Sequence, residues 1–170
     1  MRLFYALEIP EETRVELEKF GATLERPWRA SNPKQMHITL AFMGEVPDNN
    51  MDKIIKAGEA AAAEISRFHV EISDTAVFPE SGDPKVLYAQ VAGGTTLAAL
   101  AESLREKLGE FVDGKKFKAH LTLARSRSER ARKVIRKFRG KWEVSSFALI
   151  KSTVNNNSAT HEFIQRFNLK

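Results

Sequence analysis

The sequence predicts an α+β fold with two pseudo-symmetric lobes, each an antiparallel sheet with helices, facing each other across a central cleft. Two observations in the residues lead to an α+β or mixed α/β class with two similar lobes. Segments of strand and helix character alternate along the chain, with hairpins added. The stretches HITLAF and HLTLAR, which begin at His37 and His120, repeat one pattern 83 residues apart. The repeat indicates a distant internal duplication, and residues 1–170 are assigned to a single bilobal domain.

The first half of the chain is predicted to run strand, helix, strand, helix. Residues 2–9 form an apolar and aromatic strand, and a proline with an acidic turn then opens a helix at 11–25. A loop with two prolines, RPWRASNPKQ, leads to the first motif strand at 36–43, which Gly44 ends. An alanine-rich helix follows at 48–66.

A hairpin, a helix and the second motif strand are predicted next. Residues 68–78 and 86–91 read as paired strands on either side of the turn PESGDPK. A pair of glycines breaks the chain before an amphipathic helix at 95–108. The second motif lies on a strand at 117–124.

Two more elements are predicted to complete the fold. Residues 126–138 form a strongly basic helix, in which Ser126 and Glu129 fit a capping box, Ser-x-x-Glu. Residues 142–151 and 161–169 then form a closing hairpin around the polar turn NNNSAT.

The composition favours a globular protein with an anionic partner. Hydrophobic residues make up 42% of the chain, the formal net charge is +5, and the absence of cysteine excludes disulfides and thiolate sites. Twelve of the 27 Lys and Arg residues lie in 115–141 beside one acid, Glu129, and such a segment suits a nucleic acid backbone. The sequence has neither the apolar stretch of a signal peptide nor a membrane span. We therefore expect a cytoplasmic protein with no obligate protein partner.

The two His-x-Thr motifs place pairs of polar groups on one face of a strand. Four histidines and nine threonines in this chain would give only about 0.2 such pairs by chance, yet two are present. Because residues i and i+2 of a strand share a face, His37 projects with Thr39 and His120 projects with Thr122. If the lobes face each other, two imidazoles and two hydroxyls meet in one cleft.

These groups suit phosphodiester chemistry without a metal or other cofactor. Two histidines can hold one proton between them near neutral pH, so that one acts as a base and the other as an acid. Threonine hydroxyls can bind the non-bridging phosphate oxygens. Arg125 and the start of the predicted basic helix would add positive charge. Strict alternation, however, sends Arg125 to the face opposite His120 unless the strand ends near Ala124.

The paired motifs resemble those of the two-histidine phosphoesterases, specifically the RNA 2′,3′-cyclic phosphodiesterases, also called 2′-5′ RNA ligases. The resemblance covers nearly the whole chain: MRLFYALEIP is similar to the first strand of that family and VFPESGDPKVLYAQV to its middle hairpin. It implies the α+β assignment with two pseudo-symmetric lobes and a central cleft. It also implies metal-independent opening of an RNA-terminal 2′,3′-cyclic phosphate to a 2′-phosphate, and a reversible, ATP-independent joining of RNA ends. The implied partners are RNA ends with a cyclic phosphate, tRNA fragments among them.

The resemblance also implies roles for individual residues. His37 would protonate the departing 3′ oxygen, and His120 would activate water. His161 stands where relatives often carry a tyrosine, which makes it a candidate substrate contact. The residues implied to hold the phosphate are Thr39, Thr122 and Arg125.

Several alternatives stay open at this point. The histidines could be buried structural residues or zinc ligands, although zinc usually takes three or four protein ligands and the remaining histidines lack ligand-like spacing. The cleft could bind RNA or nucleotides without catalysis. The same chemistry could also act on small cyclic nucleotides or on 2′-5′ oligoadenylates.

Overall fold

A computed structural model describes residues 1–156 and 158–170, and it contains two antiparallel sheets and three α-helices. The helices are α1 (Glu11–Ala22), α2 (Met51–Glu64) and α3 (Gly94–Leu108). The strands are β1 (Arg2–Glu8), β2 (Arg29–Ala30), β3 (His37–Glu45), β4 (Phe68–Phe78), β5 (Val86–Ala92), β6 (His120–Arg125), β7 (Lys141–Val144), β8 (Ser146–Asn155) and β9 (Ser158–Asn168). The predicted α+β class with two facing sheets is confirmed.

The first sheet has the strand order β3-β1-β8-β9 and packs one face against helix α2. Alternate residues of β1, Leu3, Tyr5 and Leu7, are fully buried, as expected for side chains that share a strand face. The Tyr5 hydroxyl donates to the Ile54 carbonyl of α2 at 2.6 Å, which fixes the helix on the sheet. The opposite face of this sheet is left for the cleft.

The second sheet has the order β2-β6-β5-β4-β7 and draws its strands from both halves of the chain. The chain forms β2 on this sheet and then crosses at once to β3 of the first sheet. It returns to the first sheet only at the end, through β8 and β9. The two sheets are therefore interleaved in sequence, and each motif strand lies where the sheets approach each other.

Each motif strand contains a β-bulge at the same position of the motif. Against β1, Thr39 pairs with Ala6 and Ala41 with Tyr5, so the chain between them holds one extra residue. Against β5, Thr122 pairs with Tyr88 and Ala124 with Leu87, again with one extra residue. A bulge of this kind reverses the alternation of faces beyond it. The six residues of each motif consequently show the same order of burial along the strand. That order is half-buried, buried, half-buried, buried, buried and exposed.

The predicted basic helix at 126–138 is wrong, because this segment runs as an irregular chain along the second sheet. Its carbonyls are used by neighbouring elements: Trp28 donates to Arg132, and the Thr75 hydroxyl donates to Val134. The predicted capping box is also absent, since the Ser126 hydroxyl accepts from the Ser128 amide instead. Two like-charge pairs four residues apart, Arg132 with Arg136 and Lys133 with Lys137, would also oppose a helix.

The closing hairpin is shifted from its predicted limits. Its strands are β8 and β9, whereas the tryptophan that was expected to open the hairpin lies on β7, which pairs with β4 of the other sheet. Residue 157, within the predicted turn, lies outside the described residues. Strand β2 and both bulges were not predicted, since pairing between distant strands creates them. Within the described part of the chain, no helix combines the length and the apolar character needed to cross a membrane.

Candidate active site

A cleft of about 600 Å³ lies between the two sheets and brings together every residue that the sequence singled out. The predicted residues that line it are His37, Thr39, His120, Thr122, Arg125 and His161. Their roles remain predictions, but their common location is a property of the fold. The cleft follows from the sheet topology, because β3 and β6 carry the two motifs to the same gap.

His37 is held at both ring nitrogens. Its Nδ1 lies 2.7 Å from the Gln35 carbonyl oxygen, and its Nε2 lies 2.9 Å from the Thr39 hydroxyl. Because a carbonyl only accepts, Nδ1 carries the hydrogen in the neutral ring and Nε2 accepts from the threonine. The Phe4 ring packs against the imidazole with 4.8 Å between centroids. His37 is therefore fixed in both its tautomer and its orientation.

The environment of His37 favours its neutral form. Burial lowers the pKa of His37 from 6.5 to about 4, because a charged ring loses hydration in this position. The Gln35 carbonyl opposes this effect, while the positive charges of His161, His120 and Arg125 add to the lowering of the pKa. This pKa leaves His37 neutral at pH 7, with Nε2 able to accept a proton.

His120 repeats the arrangement at its first ring nitrogen. Its Nδ1 lies 2.8 Å from the carbonyl oxygen of Lys118, two residues earlier, just as His37 bonds two residues back. The rings of Phe78 and Tyr88 pack edge-on to it, with centroids 5.3 and 5.5 Å away. Within the described residues, Nε2 of His120 has no hydrogen-bond partner. In each histidine, Nδ1 is bonded to a backbone carbonyl, so Nε2 is the nitrogen that can exchange a proton with a ligand.

The bulge in β6 explains how Arg125 reaches the cleft. Strict alternation would send its side chain to the face opposite His120, but the extra residue reverses the alternation, and Arg125 is exposed and lines the cleft. The strand does not end at Ala124, as the sequence argument required; it continues through Arg125. The same position of the first motif holds Phe42, which is 42% exposed. The two halves of the site therefore differ in charge at this position.

His161 lies beside the first histidine on strand β9. Its ring is edge-on to His37 and to Phe4, with centroids 5.5 and 5.2 Å away. Burial lowers the pKa of His161. This location fits a contact to a substrate group next to the reacting phosphate, and that role stays a prediction.

Sequence reasoning missed part of the cleft wall. Arg29 pairs with Arg125 across β2 and β6 and adds a second guanidinium to the lining. Gln35 donates from its side-chain amide to the Ala159 carbonyl at 2.8 Å, joining the loop before β3 to strand β9. Neither residue lies in a His-x-Thr motif. Contacts between segments that are distant in the sequence place both of them in the cleft wall. The only hint in the sequence was the polar loop just before the first motif.

The described residues contain no group of three or more His, Cys, Asp or Glu side chains that could hold a metal ion. The hydroxyl and guanidinium groups of the cleft are hydrogen-bond donors that suit phosphate oxygens. Its donor set therefore matches an anionic ligand.

Comparison with known proteins identifies the family. A sequence model of the 2′-5′ RNA ligase superfamily matches residues 10–156. The chain belongs to the 2′-5′ RNA ligase superfamily. A Thermus thermophilus protein named RNA 2′,3′-cyclic phosphodiesterase is 35% identical, over all of this chain and 91% of its own length. An Archaeoglobus fulgidus protein of the same name is 29% identical, over 98% of this chain and 99% of its own.

Solved structures with a similar fold cover nearly the whole chain. A crystal structure of a Thermus thermophilus protein matches with a TM-score of 0.92 and 32% identity, covering 99% of this chain and 98% of that one. Escherichia coli LigT matches with a TM-score of 0.83 and 24% identity, covering 99% and 96% of the two chains. The LigT match shows that the two proteins share a fold, and it carries no argument about substrate.

Proposed function

We propose that this protein is an RNA 2′,3′-cyclic phosphodiesterase that opens the cyclic phosphate to a 2′-phosphate with its two motif histidines and without a metal ion. The observation that carries the proposal is the paired Nε2 geometry. Both imidazoles are anchored through Nδ1 to a carbonyl two residues back, and both line one cleft. Superfamily relatives that are named for this activity support it.

The proposed reaction uses one histidine as a base and the other as an acid. His120 removes a proton from water through Nε2 as the water oxygen forms a bond to phosphorus. The bond from phosphorus to the 3′ oxygen breaks, and His37 donates its proton to that oxygen. The products are a 2′-phosphate and a free 3′ hydroxyl. With an RNA 5′ hydroxyl in place of water as the nucleophile, the same steps join two RNA ends through a 2′-5′ linkage and free the 3′ hydroxyl, and the reverse steps cleave that linkage.

His37 needs a proton to act as the acid, although its lowered pKa makes it neutral in the protein alone at pH 7. A bound cyclic phosphate brings a negative charge next to its ring, and this charge raises the pKa of His37. Substrate binding is therefore proposed to carry a proton into the site. In the complex, Thr39 no longer needs to donate to Nε2, so its hydroxyl can turn to a phosphate oxygen. Thr122 and Arg125 bind the other oxygens, and the guanidinium stabilises the charge that develops there.

The direct test is an end-group assay in excess chelator. A short RNA ending in a 2′,3′-cyclic phosphate is incubated with the protein, and the terminal product is identified. We expect a 2′-phosphate, full rates in chelator, and a loss of about 10²–10⁴ in rate for His37→Ala and for His120→Ala. The matched control is His69→Ala, an exposed histidine of β4 outside the cleft.

Three results would count against the proposal. Turnover that chelator abolishes would indicate a metal-dependent reaction. Turnover that survives both histidine substitutions would place the chemistry elsewhere. Binding of RNA without any turnover would favour the non-catalytic binding module.

A further inference from the structure

The strongest charged feature outside the cleft is the segment 126–141, which is irregular up to Gly140 and ends on the first residue of β7. It holds eight Lys and Arg residues, all exposed: Arg127, Arg130, Arg132, Lys133, Arg136, Lys137, Arg139 and Lys141. None of them lies within ion-pair distance of a carboxylate in the part of the chain that the structure describes. The one acid within the segment, Glu129, is exposed and likewise forms no ion pair there. So many unneutralised cations together repel one another, and an anionic partner would relieve that repulsion.

The segment is held in place rather than loosely attached. Ala131 and Phe138 are buried, and backbone bonds tie the chain to Ser73 and Thr75 of β4. Trp28 donates its indole N–H to the Arg132 carbonyl at 2.8 Å. The cations are therefore presented from a fixed backbone, which lowers the entropy lost when a ligand binds.

The segment is also continuous with the cleft at two points. It leaves the cleft wall directly after Arg125, and Arg127 is only two residues further on. It comes back to the wall at Arg132, whose carbonyl binds the residue just before Arg29. Arg29 and Arg125 are paired and line the cleft. Positive side chains thus lie both on the cleft wall and on the segment that adjoins it.

We infer that segment 126–141 is a docking surface for the sugar–phosphate backbone of the RNA upstream of the reacting end. The inference rests on the proposed function, because it takes the terminal phosphate to lie in the cleft. It makes the preferred substrate a polynucleotide rather than a cyclic mononucleotide. Guanidinium and ammonium groups without base-reading neighbours bind phosphates regardless of base sequence. The affinity of the protein for RNA should therefore increase with RNA length and should not depend on the bases.

The test compares two double variants that remove the same charge. Arg127→Gln with Arg130→Gln alters the segment, and neither residue lines the cleft. Lys53→Gln with Lys56→Gln alters exposed lysines of α2, on the far side of the first sheet. Each is assayed on an RNA of about ten nucleotides ending in a cyclic phosphate and on 2′,3′-cyclic AMP. Binding of the same RNA with a plain 3′ hydroxyl end is followed by fluorescence anisotropy against salt.

We expect the segment variant to lose about ten-fold in kcat/KM on the RNA and in RNA affinity, with turnover of 2′,3′-cyclic AMP unchanged. The slope of log affinity against log salt should fall by about 0.7 for each RNA phosphate that the variant no longer neutralises. The α2 variant should match the unaltered protein in every assay.

Equal losses in the segment and α2 variants would overturn the inference, because they would report net charge alone. Equal losses on RNA and on 2′,3′-cyclic AMP would also overturn it, since the segment would then support the cleft itself. So would segment-dependent binding to vesicles of anionic lipid with no effect on RNA, an outcome that the 85% exposed Ile135 allows for. If no cyclic phosphate is turned over, the proposed function fails, and the anisotropy result alone decides whether the segment binds RNA.

Discussion

At the scale of single residues, the two motif histidines share an anchor but differ in surroundings. His37 also bonds to Thr39 and lies beside a third histidine, whereas Nε2 of His120 has no partner among the described residues. Pseudo-symmetry therefore does not make the two rings equivalent. The difference allows their roles to be separated by chemistry.

Replacing the 3′ oxygen of the cyclic phosphate by sulfur separates acid from base. A thiolate leaves without a proton, so the step no longer needs a general acid. We expect His37→Ala, which should lose about 10²–10⁴ in rate on the oxygen substrate, to recover most of that loss on the sulfur substrate. His120→Ala should stay slow on both, because water still needs a base. Rescue of His120→Ala instead would reverse the assigned roles.

The lowered pKa of His37 also predicts a pH-dependent contribution to stability. Between about pH 6.5 and pH 4 the unfolded chain protonates this histidine and the folded protein does not. The unfolded state then binds more protons, so the free energy of unfolding falls as the pH drops through this window. The change from this one residue between pH 7 and pH 4 is about 3 kcal/mol.

Urea unfolding at several pH values measures this contribution. His37→Gln should lose less stability than the unaltered protein between pH 7 and pH 4, by about the same 3 kcal/mol. His69→Gln is the matched control, since it removes an exposed histidine outside the cleft. If all three proteins lost stability in parallel, burial of His37 would not be the cause.

At the scale of elements, helix α2 lies unusually close to the first sheet at Gly58. A Cβ at this position would overlap the Tyr5 hydroxyl and lie 2.9 Å from ring carbons of Phe167. Both rings are buried and cannot move aside freely. The glycine is therefore required by the packing of helix on sheet.

Gly58→Ala should destabilise the protein although alanine is the better helix former. The usual gain of about 1 kcal/mol is outweighed by overpacking, and we expect a net loss of about 1–3 kcal/mol in urea unfolding. Gly114→Ala is the control, because a Cβ there meets nothing within 4 Å. A stabilised Gly58→Ala protein would mean that the helix can shift away from Tyr5 at little cost.

The elements also show what the sequence could and could not predict. Period-two alternation correctly located most strands, and the repeated His-x-Thr motif correctly grouped the residues of the cleft. Alternation predicted the wrong strand face for Arg125. The bulge that reverses the faces depends on pairing with β5 rather than on the residues of β6 itself. The local sequence pattern also predicted the wrong structure at 126–138. Backbone carbonyls that would accept hydrogen bonds within a helix accept them there from distant residues such as Trp28. Arg29 and Gln35 were missed for the same reason, since their positions depend on contacts with other strands.

At the scale of the whole molecule, the site is assembled from parts distant in the chain. The described cleft combines residues of β2, β3, β6 and β9. One motif comes from the first sheet and the other from the second, so catalysis as proposed requires the two sheets to keep their separation. The gap between the sheets is set by the backbone, and the segment 126–141 borders it on the outside.

The interleaving of the sheets has a consequence for cutting the chain. A break in the exposed turn at 80–83 separates β1 to β4 from β5 to β9, and each sheet then lacks strands that the other piece holds. Each piece also carries only one of the two motif histidines. We expect neither piece to turn over a cyclic phosphate, and the mixed pieces to regain activity with a second-order dependence on concentration. The protein could thus serve as a split enzyme, whose signal reports the meeting of two fused partners.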